Sequence, residues 1–551
     1  MNKQPTDDYF ETLSLGNKKL RENDLNGAML CFHSILKTNK NHIKLYLNNF
    51  DLFCRNKINK ENFNFSKKIC EFYFEDNFVF HQLGFKKALN LTEFSASKKK
   101  SNSQVINLKI INDKLLHLIL KKCLLVDLNL ESYLKKIRKQ FLKKFLSEKD
   151  TNFFSKIYFF LIALAEQCFL NEYIYFESNE ESKLLLNLEQ KIKKRKNICE
   201  ISTLLLSLYK PLNKVNYLET KLNNYVSDSK NFNDFLKFVF KDPKKDKKIG
   251  ETLKSISNFS NKISKLMKSQ YEENPYPRWR FNLRPIQEQD LNVYIKSITK
   301  IDLIKNYFDN PEILIAGSGT GHQILGWSAF KNAQICAVDL SKDSLAYSIR
   351  KTKELNIKNV NHFHIDILDL KLLRKKFNLI ICTGCLHHME NPEDGLDALI
   401  KVLKPEGVMQ LALYSKYARS EIEWTRKYIE KKKISVTTNQ MKLFRNMMIT
   451  SKNKKFLPIK KSPDFYSLSN FRDLIFNYTE HTFSLNQITK LLEKKKLKFL
   501  NFNSIDSNIL NNFKTLYPSA NDENRIDLWS NYELMYPKTF FGMYNFWVKK
   551  S

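Results

Sequence analysis

Residues 312–322 read EILIAGSGTGH. Four apolar residues, Ile313 to Ala316, run straight into Gly317, and glycine recurs at 319 and 321. A short apolar run that ends at glycine reads as a buried strand. Glycines directly after it let the backbone turn sharply and approach a ligand closely, at the start of the next helix. The same pattern repeats outward from this stretch. AQICAVDL (333–340) is a second apolar run, closing on Asp339. NVNHFHIDIL (359–368), FNLIICTG (377–384) and GVMQLALY (407–414) follow, with helical segments such as KDSLAYSIRKTKEL between them. Strand–helix alternation at this spacing predicts an α/β domain with a mostly parallel sheet and helices on both faces. A dinucleotide fingerprint, GxGxxG, would place glycine at 322, where this chain has His322.

Taken together, the GxGxG turn and the acids after the second and third strands resemble the class I S-adenosylmethionine-dependent methyltransferases. The resemblance covers residues 300–414 well and the closing strands more loosely. It implies a Rossmann-like, seven-stranded, mostly parallel sheet and S-adenosylmethionine as cofactor. Gly317, Ser318, Gly319 and Gly321 would then lie against the methionine part, and Asp339, with Leu340, would take the ribose. Asp366 would bond the adenine amino group, with Ile367 against the ring and Asp369 as a helix cap. Thr383 would line the same site. LKPEG (403–407) resembles the turn before the fifth strand. The family often carries an acid two residues before the first glycine; this chain has Ile315. The methionine end would then need another partner. QYEENPYPRW (270–279) supplies candidates: Arg278 as a fork for the methionine carboxylate, and Tyr271 or Tyr276 as cavity wall. The same segment also reads as a proline-fixed connector packing its aromatics on the domain.

The stretch CTGCLHHMENP (382–392) carries a CxxC and two adjacent histidines. Zinc needs four converging ligands, and neighbouring histidines at a strand end diverge. Covalent haem needs CxxCH, and residue 386 is leucine. No metal is expected. LHHMENP instead resembles the loop after strand four in many methyltransferases, with Asn391 capping the next helix and Pro392 in its first turn. A nitrogen or oxygen nucleophile must lose a proton, a role that suits His387 or His388; equally, they shape the loop.

The remaining chain frames this core. It has 551 residues, so two or more domains are expected. Residues 1–240 are written in helical periods. LSLGNKKLRENDLNGAMLCFHSILKTNK resembles a tetratricopeptide repeat, with Gly16, Ala28 and Phe32 at its small, small and aromatic positions; the alternative is an ordinary helical hairpin. ASKKKSNSQ (96–104) reads as a surface loop. Residues 241–300 read as a linker and connector, with charged, proline-bearing KDPKKDKKIGE at the boundary. Residues 301–551 form the α/β domain. A lid insertion at about 415–483 follows Tyr414, which with Arg472 and His481 of the lid makes the weak substrate candidates. There Arg472–Asp473 and Glu480–His481 read equally as pairs that hold the lid shut.

The start lacks a basic head and apolar block, and IYFFLIALA (157–165) is far short of the roughly 20 residues that span a membrane. A cytoplasmic protein without membrane contact is expected, and nine scattered cysteines fit a reducing compartment. The net charge of +34 is spread over the whole chain, with Lys, Asn, Ile and Phe dominating together. That reads as compositional drift more than a polyanion surface. The reading is therefore a methyltransferase whose helical half docks a protein partner or substrate. RNA modification is the runner-up, and a non-catalytic cofactor-binding scaffold is the alternative that Ile315 favours.

Overall fold

The computed structural model describes residues 5–38, 50, 53–54, 63–77, 79–97, 106–147, 151–277, 279–281, 288–302, 304–519 and 522–551. The chain divides into two units, one built mainly from residues up to Pro243 and the other mainly from Lys244 onward.

The first unit is helical. IYFFLIALA lies in the helix Tyr158–Leu170, whose Leu161, Ile162 and Leu164 are fully buried. A helix apolar on every side belongs in a core. No helix among the described residues is long and apolar enough to cross a membrane. The helices Pro5–Arg21 and Leu25–Thr38 form a hairpin in which Gly16 meets the Phe32 ring. A Cβ on Gly16 would stand 2.8 Å from that ring, so the small residue sets the helix spacing. Of the expected loop at 96–104, Ala96 and Ser97 close the helix Glu93–Ser97, and the rest lies outside the described residues.

The second unit is an α/β sandwich. Its strands are β1 Glu312–Ala316, β2 Gln334–Asp339, β3 Val360–His364, β4 Phe377–Thr383, β5 Leu403–Ser415, β6 Thr482–Phe483, β7 Leu497–Phe502 and β8 Met543–Lys550. The order is β3-β2-β1-β4-β5-β8-β7, with β6 beside the end of β5. β1 to β6 are parallel; β8 runs antiparallel to both β5 and β7. The sheet has eight strands where seven were expected, because the returning lid adds β6 at Tyr414 and Ser415.

Alternation along the strands builds two cores. Ile313 and Ile315 pack with Ile335, Leu379 and Trp547 on one face. Leu314 and Ala316 pack with Val338, Ile380 and Met409 on the other. Both faces are covered, which is why these strands read as continuous apolar runs. Ile315 is fully buried, and its burial stabilises the fold by roughly 1.5–3 kcal/mol.

One expectation is corrected. KDPKKDKKIGE, read as a linker, is helical: the helix Asp242–Thr252 continues without a break from the π-helical turn Lys237–Lys241, which takes up Pro243, and Asp246 accepts from Arg350 at 2.6 and 3.1 Å. LKPEG lies within the bounds of β5, but its pairing with β4 jumps from Phe377–Leu403 to Leu379–Val408, so Lys404 to Gly407 bulge out of the ladder and Pro405 needs no partner there.

Candidate functional site

The strand order reverses between β1 and β4. In open parallel sheets the crevice at such a point, outside the carboxyl ends of the strands, is where ligands bind. A cavity of about 300 Å³ opens there. Its floor is the turn after β1. Gly317, Gly319 and Gly321 have φ of +70°, +51° and +82°. A Cβ on Gly317 would overlap Cys385 Sγ at 2.0 Å, and one on Gly319 would stand 2.5 Å from the Tyr276 carbonyl oxygen. The Thr320 hydroxyl donates to the Pro277 carbonyl. The glycines thus admit the segment Tyr276–Pro277 directly onto the turn.

Asp339 ends β2 and lines the cavity. Its carboxylate accepts from the amides of Gly319 and Ser341, each at 2.8 Å, which locks the glycine turn to the end of β2. Burial pushes its pKa up to about 6 against these donors. Asp366 also lines the cavity and caps the short helix Ile367–Leu373 by accepting from Leu368 at 3.0 Å. Asp369, expected to be the cap, lies inside that helix, because the turn begins three residues earlier. Leu340, Ile367 and Thr383 line the wall, and the Gln323 amide donates to the Thr383 hydroxyl. Ser318 and Ser344 also line it, and their buried hydroxyls have no hydrogen-bonding partner among the described residues.

The loop after β4 separates its two histidines. Both lie in the short turn Leu386–His388, with ring planes 66° apart. His388 lines the cavity; its Nδ1 donates to the Thr479 carbonyl at 2.8 Å, which leaves Nε2 as the acceptor. His387 is fully buried behind it, its ring centroid 3.8 Å from that of Tyr414, and burial holds its pKa far below the usual range. It does not line the cavity. Cys385 lines the cavity as a thiol, its pKa raised first by the hydrogen bond with Cys382 and then by burial. Among the described residues no group of three or more His, Cys, Asp or Glu side chains is placed to hold a metal.

Helices of the lid, including Ser420–Lys431, Thr438–Thr450 and Leu468–Ile475, connect β5 to β6. Tyr414, Arg472 and His481 do not line the cavity. Arg472 is buried and donates to Glu273 at 2.6 Å and Asn274 at 2.9 Å. His481 bonds the backbone of the histidine loop through its amide to the His387 carbonyl and its Nε2 to the Met389 carbonyl. Glu480 pairs with Arg419. The expected pairs Arg472–Asp473 and Glu480–His481 are therefore replaced by longer-range ones; Arg472 and Asp473 are adjacent on a helix, where side chains diverge. Arg278 lies outside the described residues. Tyr271 and Tyr276 line the cavity, as do Ile263, Met267, His322 and Met543, for which no local motif exists.

Residues 313–407 match the family model of a methyltransferase domain. An uncharacterised protein of Synechococcus sp. is 36% identical over 115 residues, 20% of this chain and 27% of that protein. An uncharacterised protein of Rickettsia prowazekii is 30% identical over 150 residues, 26% of this chain and 58% of that one. The chain thus spans less than two thirds of the length of these curated relatives. Among solved structures, PKMT2 from Rickettsia typhi aligns with TM-score 0.37 and 15% identity, over 47% of this chain and 52% of that one. The plantazolicin methyltransferase BamL aligns with TM-score 0.27 and 16% identity, over 47% and 81%.

Proposed function

We propose that this chain is an S-adenosylmethionine-dependent methyltransferase acting in line on an acceptor carried by a protein that the helical unit docks. The observation that carries the reading is the cavity wall. A glycine turn with no room for a Cβ, two buried unpartnered hydroxyls at Ser318 and Ser344, and two carboxylates at Asp339 and Asp366 converge at one switch point. Buried polar groups without partners are rare, so these hydroxyls fit a polar ligand. The cofactor supplies a methyl group already activated on a sulfonium, which leaves the protein alignment and the exclusion of water.

In this reading Asp339 accepts the ribose hydroxyls, Asp366 takes the adenine edge with Ile367 against the ring, and Ser318 and Ser344 serve the methionine end. Ile315 cannot serve it, since its side chain is in the core. Tyr271 and Tyr276 close the cavity against water. His388 Nε2 is the base that receives the acceptor's proton, and His387 fixes the loop from behind. The RNA reading loses one of its cations: Arg280 pairs with Glu166, with its guanidinium 3.7 Å from the Phe238 ring centroid. The scaffold reading predicts cofactor affinity without transfer.

Calorimetric titration of S-adenosylmethionine tests the site, with Asp339→Ala as the paired variant. Micromolar binding that the substitution weakens at least tenfold is expected. A folded wild-type chain with no binding would sink the reading.

Asp339 adds a pH signature. With its pKa at about 6, the ionised acceptor is lost below that pH, and affinity is expected to fall about tenfold by pH 5. The effect on folding has the opposite sign. The raised value means the folded chain holds this proton more tightly than the unfolded one. The unliganded protein therefore gains stability from Asp339 as pH falls from about 6 towards about 4. Calorimetry at pH 7 and 5, beside thermal unfolding at the same values, reads both. An affinity indifferent to pH would remove Asp339 from the ribose role.

A further inference from the structure

The cavity wall formed by Tyr271 and His388 is backed by an acceptor-rich cluster drawn from three separate segments. Asp473, on the lid helix Leu468–Ile475, accepts from the Tyr271 hydroxyl at 2.9 Å and from Asn477 Nδ2 at 3.2 Å, both through Oδ1. Asn477 Nδ2 also donates to the Asp473 carbonyl at 2.7 Å, so its hydrogens are committed there and it reaches His388 Nε2 only at 3.4 Å. Those donations fix the Asn477 amide. Its oxygen then accepts from Gln270 Nε2 and fixes that amide in turn.

Two acceptors of the cluster are left over. Among the described residues Gln270 Oε1 is buried with no partner. Asp473 Oδ2 accepts no hydrogen bond among the described residues, and His388 Nε2 has only the long contact. Arg419 is held in a bidentate pair with Glu480, and Arg426 donates to the Asn477 carbonyl at 2.8 Å. Asp464 and Asp473 have no cation within ion-pair distance among the described residues. They lie close enough that the charge of Asp473 adds to burial in pushing Asp464 up to about 6. Three tyrosines, Tyr271, Tyr276 and Tyr414, feel the Asp473 charge. Anionic oxygens beside aromatic side chains favour a ligand that brings positive charge and N–H groups.

We infer that the methyl acceptor is an aliphatic amine, which enters as an ammonium and is recognised by Asp473, Gln270 and the tyrosine wall. This rests on the methyl-transfer reading above. The ammonium first gives one proton to His388 Nε2, which passes it to water. The freed nitrogen lone pair then forms the new carbon–nitrogen bond as the methyl–sulfur bond breaks. The bonding pair stays on sulfur, which becomes a neutral thioether, and the product leaves as an N-methylammonium. Asp473 and Gln270 act on the acceptor and not on the cofactor, so their loss should separate the two.

The test compares two probes on the full chain by calorimetry: S-adenosylhomocysteine, and sinefungin, an analogue that carries a primary amine in place of the methylsulfonium. Sinefungin is expected to bind at least tenfold tighter. In Asp473→Asn and Gln270→Leu that preference should collapse while S-adenosylhomocysteine binds as before, which also reports that each variant is folded. Equal affinity of the probes for the wild type, or a preference that survives both substitutions, overturns the inference. Failure of S-adenosylhomocysteine to bind the wild type overturns the methyl-transfer reading beneath it. A second arm labels cell protein and RNA with tritiated-methyl S-adenosylmethionine. Base-stable label on lysine nitrogen is the expected product; methanol released by base, or label in RNA, overturns the amine.

Discussion

Gly319→Ala is expected to weaken S-adenosylhomocysteine binding by at least a hundredfold while leaving a folded protein. Two costs coincide at this residue. Its φ of +51° is a left-handed conformation that an L side chain adopts at about 1–2 kcal/mol. The added Cβ would also stand 2.5 Å from the Tyr276 carbonyl oxygen, and a backbone atom cannot rotate aside. The turn must open, which moves the Gly319 amide off Asp339 Oδ2, where it now donates at 2.8 Å. One substitution thus disturbs the cavity floor, the Tyr276–Pro277 segment and the ribose carboxylate together. Gly317→Ala is a weaker form of the same experiment, because its Cβ would meet a side chain, Cys385 Sγ. Calorimetry ranks the two. Near-native affinity in Gly319→Ala would mean that the ligand does not touch this turn.

Arg419→Met is expected to destabilise the second unit by roughly 3–5 kcal/mol, the largest stability loss of any single change to the lid. Arg419 donates through Nε and Nη2 to the two Glu480 oxygens at 3.1 and 2.9 Å. Its side chain is 7% exposed and that of Glu480 3%. Its guanidinium centre also stands 3.5 Å from the Tyr414 ring centroid. Removing the arginine strands a carboxylate in a place water barely reaches. Arg426, with Nη1 3.9 Å from the same carboxylate, offers only partial relief. The double change Arg419→Met with Glu480→Leu is expected to cost less than Arg419→Met alone, since it leaves no unpaired charge. Urea unfolding of the three chains measures this. A double variant worse than the single one would show that packing, not charge pairing, dominates here.

These two predictions differ in how visible their residues are in the sequence. Gly319 announces itself, because a glycine-rich turn after an apolar run follows from backbone sterics within a few residues. Asn391 and Pro392 are legible for the same reason: Asn391 accepts from the Glu393 amide at 3.2 Å and Pro392 opens the helix Pro392–Val402. Arg419 and Glu480 are 61 positions apart, and nothing in either neighbourhood names the other. Arg472 is harder still. Its neighbour Asp473 invites a local pairing, yet the partners are Glu273 and Asn274, about 200 positions away. The Asp366 and Asp369 exchange is subtler. Both acids fit a cap, and only the point where the chain leaves β3 decides which one starts the turn.

What the sequence determined by itself was the local grammar: which runs become strands, where the backbone must turn, and which acids end β2 and β3. Short-range sterics and hydrophobic period suffice for that, since each residue's constraint comes from neighbours within one turn or one strand. Only the tertiary structure decided which of two adjacent histidines faces the cavity. It alone drew Met267 and Met543 into the wall, and it placed Asp473, Asn477 and Gln270 behind it. Those outcomes depend on how the helix Lys262–Glu273 and the lid pack over the sheet edge. Packing is set by the summed fit of many distant side chains, and no window of sequence contains that sum.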